Sequence, residues 1–414
     1  MNAPTPRSGT RPTVRVGPLV ARHDPALVLD VDDLLDDRSR GIIVCCGSGG
    51  VGKTTISAAL ALRAAERGRK VVVLTIDPAR RLAQSMGIES LDNTPRPVPG
   101  ISPGSVAGDG AAGSLDAMML DMKRTFDEVV QSQASPEKAA QILANPFYVA
   151  VSSSFAGTQE YMAMEKLGQL DKEARRTGQY DLIVVDTPPS RSALDVLDAP
   201  ERLSSFLDGR FMKLLLVPAR GPARMMTAGF GLVTNALTKI IGAQVLIDMK
   251  AFVAAFDTLF GGFRQRAQRT FELLQDSRTA FVVIAAPEPD ALREAAYFVE
   301  RLRQEDMPLA GLVVNRATTD PAGDLSASAA MAAVERLHAS DQDDGIAAGL
   351  LRLHADRRVV VERETRLTGR FATSHPDVPT AMLPALSTDV HDLDGLRLIG
   401  ELLGAQAPEG SGNA

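Results

Sequence analysis

The run Gly47-Ser48-Gly49-Gly50-Val51-Gly52-Lys53-Thr54 constrains this chain more than any other segment. It follows an apolar stretch, Gly41-Ile42-Ile43-Val44-Cys45-Cys46, and precedes an Ala- and Leu-dominated stretch, residues 54–67, that Gly68 is placed to end. A short apolar run bounded by glycines reads as a buried strand, and the following stretch reads as a helix. The spacing Gly-x₄-Gly-Lys-Thr is the phosphate-loop pattern, set between a strand and a helix as its mechanism requires. Glycines let successive backbone N–H groups curl around phosphates, and the helix adds its positive end. Lys53 is expected to reach the β- and γ-phosphates, and Thr54 to ligate Mg²⁺. The expected nucleotide-binding set is Gly47, Ser48, Gly49, Gly50, Val51, Gly52, Lys53, Thr54 and Thr55, with ATP and Mg²⁺ as the bound species.

The same strand-then-polar grammar repeats. Residues 70–76 are β-branched and end at Asp77, completing one βαβ unit. Residues 181–185 end at Asp186, residues 281–285 at Pro287-Glu288, and residues 309–314 at Asn315. A last strand over 378–383 precedes Pro384 and a helix over 392–403. The predicted class is therefore α/β, a P-loop NTPase with a mostly parallel central sheet flanked by helices. Such sheets bind ligands at the carboxyl ends of their strands, so Asp77, Asp186 and Asn315 are expected to converge beside the loop. Asp186, after four apolar residues, fits a carboxylate that holds Mg²⁺ through water. Asp77 is a candidate to orient the attacking water, because phosphoryl transfer depends on positioning and charge. Lys53 and Asp77 are thus the candidate catalytic pair. Asn315 is a candidate to read adenine through its amide. The bland alternatives are helix N-caps for the two aspartates and a turn residue for Asn315.

Two segments break the alternation. Residues 115–176 carry Met118, Met119, Met122, Met162 and Met164, and residues 203–274 carry Met225, Met226, Phe230, Phe252, Phe256 and Phe260 among others. Both read as parts of one inserted helical subdomain. Their Met and Phe side chains suit either an adaptable apolar surface or ordinary core. The expected organisation is a poorly ordered tail over 1–35, an ATPase domain over 36–404 and a second tail over 405–414. A short acidic helix is admitted within 24–40.

Composition narrows the classes. Forty-five basic against 51 acidic side chains leave a formal charge of -6, which argues against a nucleic-acid partner. The two cysteines, Cys45 and Cys46, are adjacent, so they offer neither a disulfide framework nor zinc-site spacing. Buried strand thiols and a reducing cytoplasm fit them. Residues 1–22 scatter four arginines among Pro, Gly and Thr without an apolar segment, unlike a secretory signal. The uncharged stretch 225–238 is too short to span a bilayer, which needs about 20 apolar residues.

Taken together, Gly-Ser-Gly-Gly-Val-Gly-Lys-Thr-Thr, Thr75-Ile76-Asp77-Pro78-Ala79, Asp186-Thr187-Pro188-Pro189-Ser190, Pro287-Glu288, Val313-Val314-Asn315-Arg316 and Leu383-Pro384 resemble the deviant-Walker ATPases of the arsenical-pump and tail-anchored-protein-targeting family. The likeness is nearest to the actinobacterial "anion-transporting ATPase" branch and covers roughly residues 41–400. The resemblance implies a nucleotide-gated dimer that opens and closes around ATP. In it Asp77 would lie in switch I, Asp186 would begin switch II, Asn315 and the Pro384 loop would hold adenine, and the helical subdomain would form a groove for a hydrophobic client.

Three departures qualify it. Ser48 stands where the family carries a lysine that contacts the partner's phosphates. Arg80, Arg81 or Arg191 could replace it, or a lysine-bearing paralogue could supply it, and a heterodimer is the expectation. Ser190-Arg191-Ser192-Ala193 stand where relatives place Thr-Gly-His-Thr. The Cys-x-x-Cys zinc staple of the eukaryotic factors is absent, and the strand cysteines are unsuited to arsenite. Competing expectations are a regulatory or partitioning ATPase and a low-activity ATP-binding subunit of a heterodimer.

Overall fold

Apolar strands alternating with helices build an eight-stranded sheet, in the order β3-β4-β2-β5-β1-β6-β7-β8. The strands are β1 (Ile42–Gly47), β2 (Lys70–Thr75), β3 (Arg96–Pro97), β4 (Ser114–Met119), β5 (Leu182–Asp186), β6 (Thr279–Ala285), β7 (Leu309–Ala317) and β8 (Thr380–Pro384). The computed structural model describes residues 27–77, 81–101, 113–146, 148–149, 152, 158–188, 265–319, 324–339 and 345–406. Every ladder is parallel except β3–β4. β1 and β5 are buried along their whole length, as expected of parallel strands covered on both faces. The phosphate-loop helix, Lys53–Glu66, packs on β2 and β5 and against the carboxy-terminal helix, Leu393–Gly404. Its small apolar residues, including Ala58, Ala59, Ala61, Ala64 and Ala65, are fully or almost fully buried. Helix Pro289–Gln304 packs on β6 and β1.

A buried arginine ties together the amino-terminal ends of the central strands. Arg69 has no solvent exposure. Its guanidinium donates to Asp181 Oδ1 at 2.7 Å and to the carbonyls of Asp181 (2.8 Å), Arg40 (2.6 Å), Leu35 (3.1 Å) and Asp37 (3.3 Å). It thereby joins the turn before β1, the start of β2 and the start of β5. A buried charge is tolerated where its donors are satisfied in this way.

The structure corrects three expectations. Residues 115–119 belong to β4 rather than to a helical subdomain, and β4 pairs with β2 from Lys70↔Ser114 to Thr75↔Met119. Met118, Met162 and Met164 are core side chains, each at most 1% exposed. Residues 27–35 are part of the fold rather than of a tail. Helix Val31–Asp36 is capped by Asp30, whose side chain accepts from the Asp33 N–H, and its Asp32 binds Arg63 Nε at 2.5 Å. Asp32 and Asp36 also bind Arg67. At the other end, Gln406 Oε1 accepts from the Met382 N–H at 2.7 Å, so the ordered chain continues past 404. Within 203–274, residues 265–275 are helical, and the proposed subdomain residues 203–264 lie outside the described residues. Helices Ala327–His338 and Ile346–Ser374 form an additional pair that packs together beside the sheet. No helix among the described residues is long and apolar enough to cross a membrane.

Cys45 and Cys46 lie on β1 with 0% and 2% exposure. Burial pushes the Cys45 thiol up to about 12 and the Cys46 thiol higher still. A thiolate is the reactive species, so both are expected to be inert in the folded chain. Iodoacetamide at pH 8 should leave the native protein unlabelled by mass spectrometry and modify both cysteines in urea. Native labelling at the rate of a free thiol would contradict this placement.

Candidate functional site

The parallel register sets the site. Cys45 on β1 lies opposite Asp186 on β5, and Asp186 lies opposite Thr75 on β2. Three adjacent strands therefore end level, and the segments leaving them share one rim. The loop leaves β1 at Gly47, whose φ is +149° and whose hypothetical Cβ would lie 2.0 Å from the Ile284 carbonyl oxygen. Only glycine fits that approach to β6. Gly52 has φ +92° and precedes the helix directly. No side chain caps that helix, so its first N–H groups face the loop. That is the arrangement expected of an anion cradle.

Lys53 is buried and its Nζ donates to the Ser48 carbonyl at 2.7 Å, folding the side chain back across the loop. Burial lowers its pKa, and the charges of Asp186, Asp77 and Glu294 pull it back up. Asp77 thus lies within electrostatic range of the lysine, as does Glu294 on helix Pro289–Gln304. Nothing in the local sequence around Glu294 separates it from a solvated helix charge. The Asp77 N–H contacts Thr75 Oγ1 at 3.3 Å, at the end of β2.

Asp186 is fully buried. Its Oδ2 accepts from Thr54 Oγ1 at 2.7 Å and from Thr75 Oγ1 at 2.8 Å. Burial raises its carboxyl pKa to about 6 against the two hydroxyl hydrogen bonds and Lys53, which lower it. Its Oδ1 is buried without a protein partner. A buried carboxylate oxygen left open, beside a loop threonine, fits a hard divalent cation held by oxygen ligands and water.

Asn315 is expected from the sequence to read adenine, yet its amide contacts the loop. Its Nδ2 donates to the Val51 carbonyl at 2.7 Å and sits over Gly52. Arg316 Nη1 donates to the Gly50 carbonyl at 3.1 Å. Both residues at the end of β7 therefore grip the phosphate loop from outside. Ser48 is 8% exposed, and its hydroxyl is buried without a hydrogen-bond partner. Arg81 is exposed, whereas Arg80, Arg191 and residues 189–190 lie outside the described residues.

Lys53, Thr54, Asp77, Asp186 and Asn315 are thus brought to one rim of a parallel sheet, around a glycine loop that opens a helix. That constellation defines a P-loop nucleotide-binding protein. The family of anion-transporting ATPases matches residues 40–338, and the chain belongs to it. It is 27% identical to the ATPase ARSA1 of Chlamydomonas reinhardtii over 346 residues, which is 78% of this chain and 41% of that protein. It is 25% identical to the ATPase GET3 of Malassezia globosa over 303 residues, covering 72% of this chain and 80% of the relative. It is 31% identical to an arsenical pump-driving ATPase of Acidiphilium multivorum over 167 residues, 39% of this chain and 26% of the relative. The chain therefore spans less than half of the algal and the arsenical-pump relatives.

Proposed function

We propose that this chain binds and hydrolyses Mg²⁺-ATP and acts as a nucleotide-gated dimer that captures and releases a hydrophobic client. The observation that carries the nucleotide part is the contact of Thr54 with Asp186, whose other oxygen is buried and open. In this reading the loop N–H groups and the helix end bind the phosphates, and Lys53 moves from the Ser48 carbonyl to the β- and γ-phosphates. Thr54 and Asp186 hold Mg²⁺, the Asp through water. Bound Mg²⁺ neutralises charge that develops on the phosphates. Asp77 orients the lytic water, and Asn315 contributes to the nucleotide pocket.

The dimer reading rests on family membership. Ser48 has neither charge nor reach to contact a facing subunit's phosphates, so the favoured assembly is a heterodimer with a lysine-bearing paralogue. A cytoplasmic setting suits the two buried free thiols. The Met- and Phe-rich residues 203–264 are the candidate client surface, because such side chains suit an adaptable apolar groove. Ser48 also favours a second reading, in which this chain is a low-activity ATP-binding subunit whose partner performs the hydrolysis.

The test is ATP hydrolysis by the purified chain alone across protein concentration, with and without Mg²⁺. Specific activity that rises with concentration and is lost on chelation means a self-sufficient homodimer. ATP binding without turnover moves the catalytic assembly to a heterodimer. Absence of ATP binding in the presence of Mg²⁺ would sink the proposal.

A further inference from the structure

The carboxyl end of β7 departs from a regular strand at the point where it meets the phosphate loop. Its ladder with β8 shifts register between Val314 and Ala317. Within that irregularity Arg316 takes φ +63°, a left-handed conformation that non-glycine residues avoid. Successive side chains of a strand ordinarily point to opposite faces. Here the bend turns two consecutive side chains onto one target. Bulges of this kind re-aim side chains beside functional sites, and a strained backbone persists only where its surroundings hold it.

The targets are two successive loop carbonyls. Arg316 Nη1 holds Gly50 O at 3.1 Å, and Asn315 Nδ2 holds Val51 O at 2.7 Å. The described peptide bonds are all trans. In a trans peptide the C=O and the following N–H point in opposite directions. Drawing the Gly50 carbonyl toward β7 therefore turns the Val51 N–H away from it. Drawing the Val51 carbonyl does the same for the Gly52 N–H. A phosphate nest needs successive N–H groups turned toward one anion.

The strand end is itself fixed from behind by helix Ile346–Ser374. Glu364 accepts from the Thr318 N–H at 2.7 Å and from Thr318 Oγ1 at 2.9 Å. Arg357 Nε donates to the Thr319 carbonyl at 2.7 Å.

We propose that Asn315 and Arg316 are positioning residues that set the Val51 and Gly52 N–H groups toward the polyphosphate, independently of the base. This rests on the nucleotide-binding reading above. It assigns Asn315 a task distinct from reading adenine, and it gives Arg316 a task that the loop pattern does not contain.

The experiment is calorimetric titration of the full chain with inorganic pyrophosphate, ADP and GDP. The variants are Arg316→Ala, Arg316→Lys, Arg316→Gly and Asn315→Ala. Losing one hydrogen bond to the loop, charge-assisted from Arg316 or neutral from Asn315, is expected to weaken all three ligands by about tenfold, and by the same factor for each. Arg316→Lys should recover part of the loss. Arg316→Gly relieves the left-handed backbone while removing the guanidinium, so it should unfold no earlier than wild type and still bind weakly. Unchanged pyrophosphate affinity in Arg316→Gly and Asn315→Ala would overturn the proposal. So would a loss in Asn315→Ala confined to ADP, which would make that residue a base reader. A wild-type chain that binds none of the three ligands would overturn the nucleotide reading itself, a failure distinct from loss in the variants alone.

Discussion

Replacing Lys53 with alanine is expected to lower ATP turnover by about 100- to 1000-fold, the usual cost of removing one preorganised charge from a reacting group. The side chain starts from a buried position, with Nζ on the Ser48 carbonyl. Burial alone lowers its pKa, and the nearby carboxylates of Asp186 and Asp77 oppose that effect. A cation kept in a water-poor site by surrounding acids is prepared to transfer its field to an incoming phosphate, with little solvent to rearrange. Arginine at position 53 should rescue poorly, because a planar fork does not replace a compact ammonium in a tight loop. In the free protein Lys53 makes one hydrogen bond to a loop carbonyl, so the alanine variant should remain folded by circular dichroism. Steady-state phosphate release is the measurement. A folded variant that keeps more than roughly a tenth of wild-type turnover would show that Lys53 does not serve the reaction.

The second large effect concerns stability rather than chemistry. Arg69→Met is expected to cost about 3 kcal/mol, the lower end of what breaking a buried ion pair costs. Methionine fills much of the volume but removes one donor from each of four carbonyls and from Asp181 Oδ1, while the Asp37 carbonyl keeps the Arg40 N–H and Asp181 Oδ2 keeps Arg38 and the Lys70 N–H. The side chain of Asp181 is 38% exposed and can regain water, which places the value at the lower end. The carbonyls of Leu35, Arg40 and Asp181 have less recourse. Urea unfolding of the variant should show an earlier midpoint with an unchanged slope. An unchanged midpoint would mean that those carbonyls find other partners. Nucleotide affinity per folded molecule should be little altered, since Arg69 lies at the opposite end of the strands from the loop.

Most of the sheet was legible because its strands are apolar runs with punctuation. β1, β2, β5, β6 and β8 each end near a glycine, a proline or a polar residue. β4 was not legible. Its sequence, Ser-Leu-Asp-Ala-Met-Met, is poor in β-branched residues, and its methionines suit a helix as well. Pairing with β2 decides its conformation, which is the usual way tertiary context overrides weak strand propensity. Helices Ala327–His338 and Ile346–Ser374 were missed because many of their apolar side chains stay exposed, Ile346 and Leu353 among them. No single apolar stripe marks them for a pattern reader. Arg69, in Gly68-Arg69-Lys70, looks like a solvated charge in a turn, and only the fold reveals its five acceptors. At the site, Lys53 was placed by the phosphate-loop motif and Asp186 by the end of its apolar strand. The Asn315 side chain was placed at the correct rim, and its grip on Val51 could not be read because it depends on how β7 bends.

The amino-terminal segment changes where this molecule can be said to begin. The match to the family begins at residue 40. The physical unit starts earlier. Val28 bridges to Thr380, the Thr380 N–H donates to the Leu27 carbonyl at 2.7 Å, and the Leu29 N–H returns to the Thr380 carbonyl at 3.3 Å. Those residues close part of the outer hydrogen-bonding edge of β8, the last strand of the sheet. An open strand edge is a template on which a second chain can grow. A boundary drawn by homology alone would therefore cut away a guard against self-association, together with Asp32 and Asp36, the counter-ions of Arg63 and Arg67 on the phosphate-loop helix. Among the described residues, the family match and the hydrogen-bonded fold begin at different places.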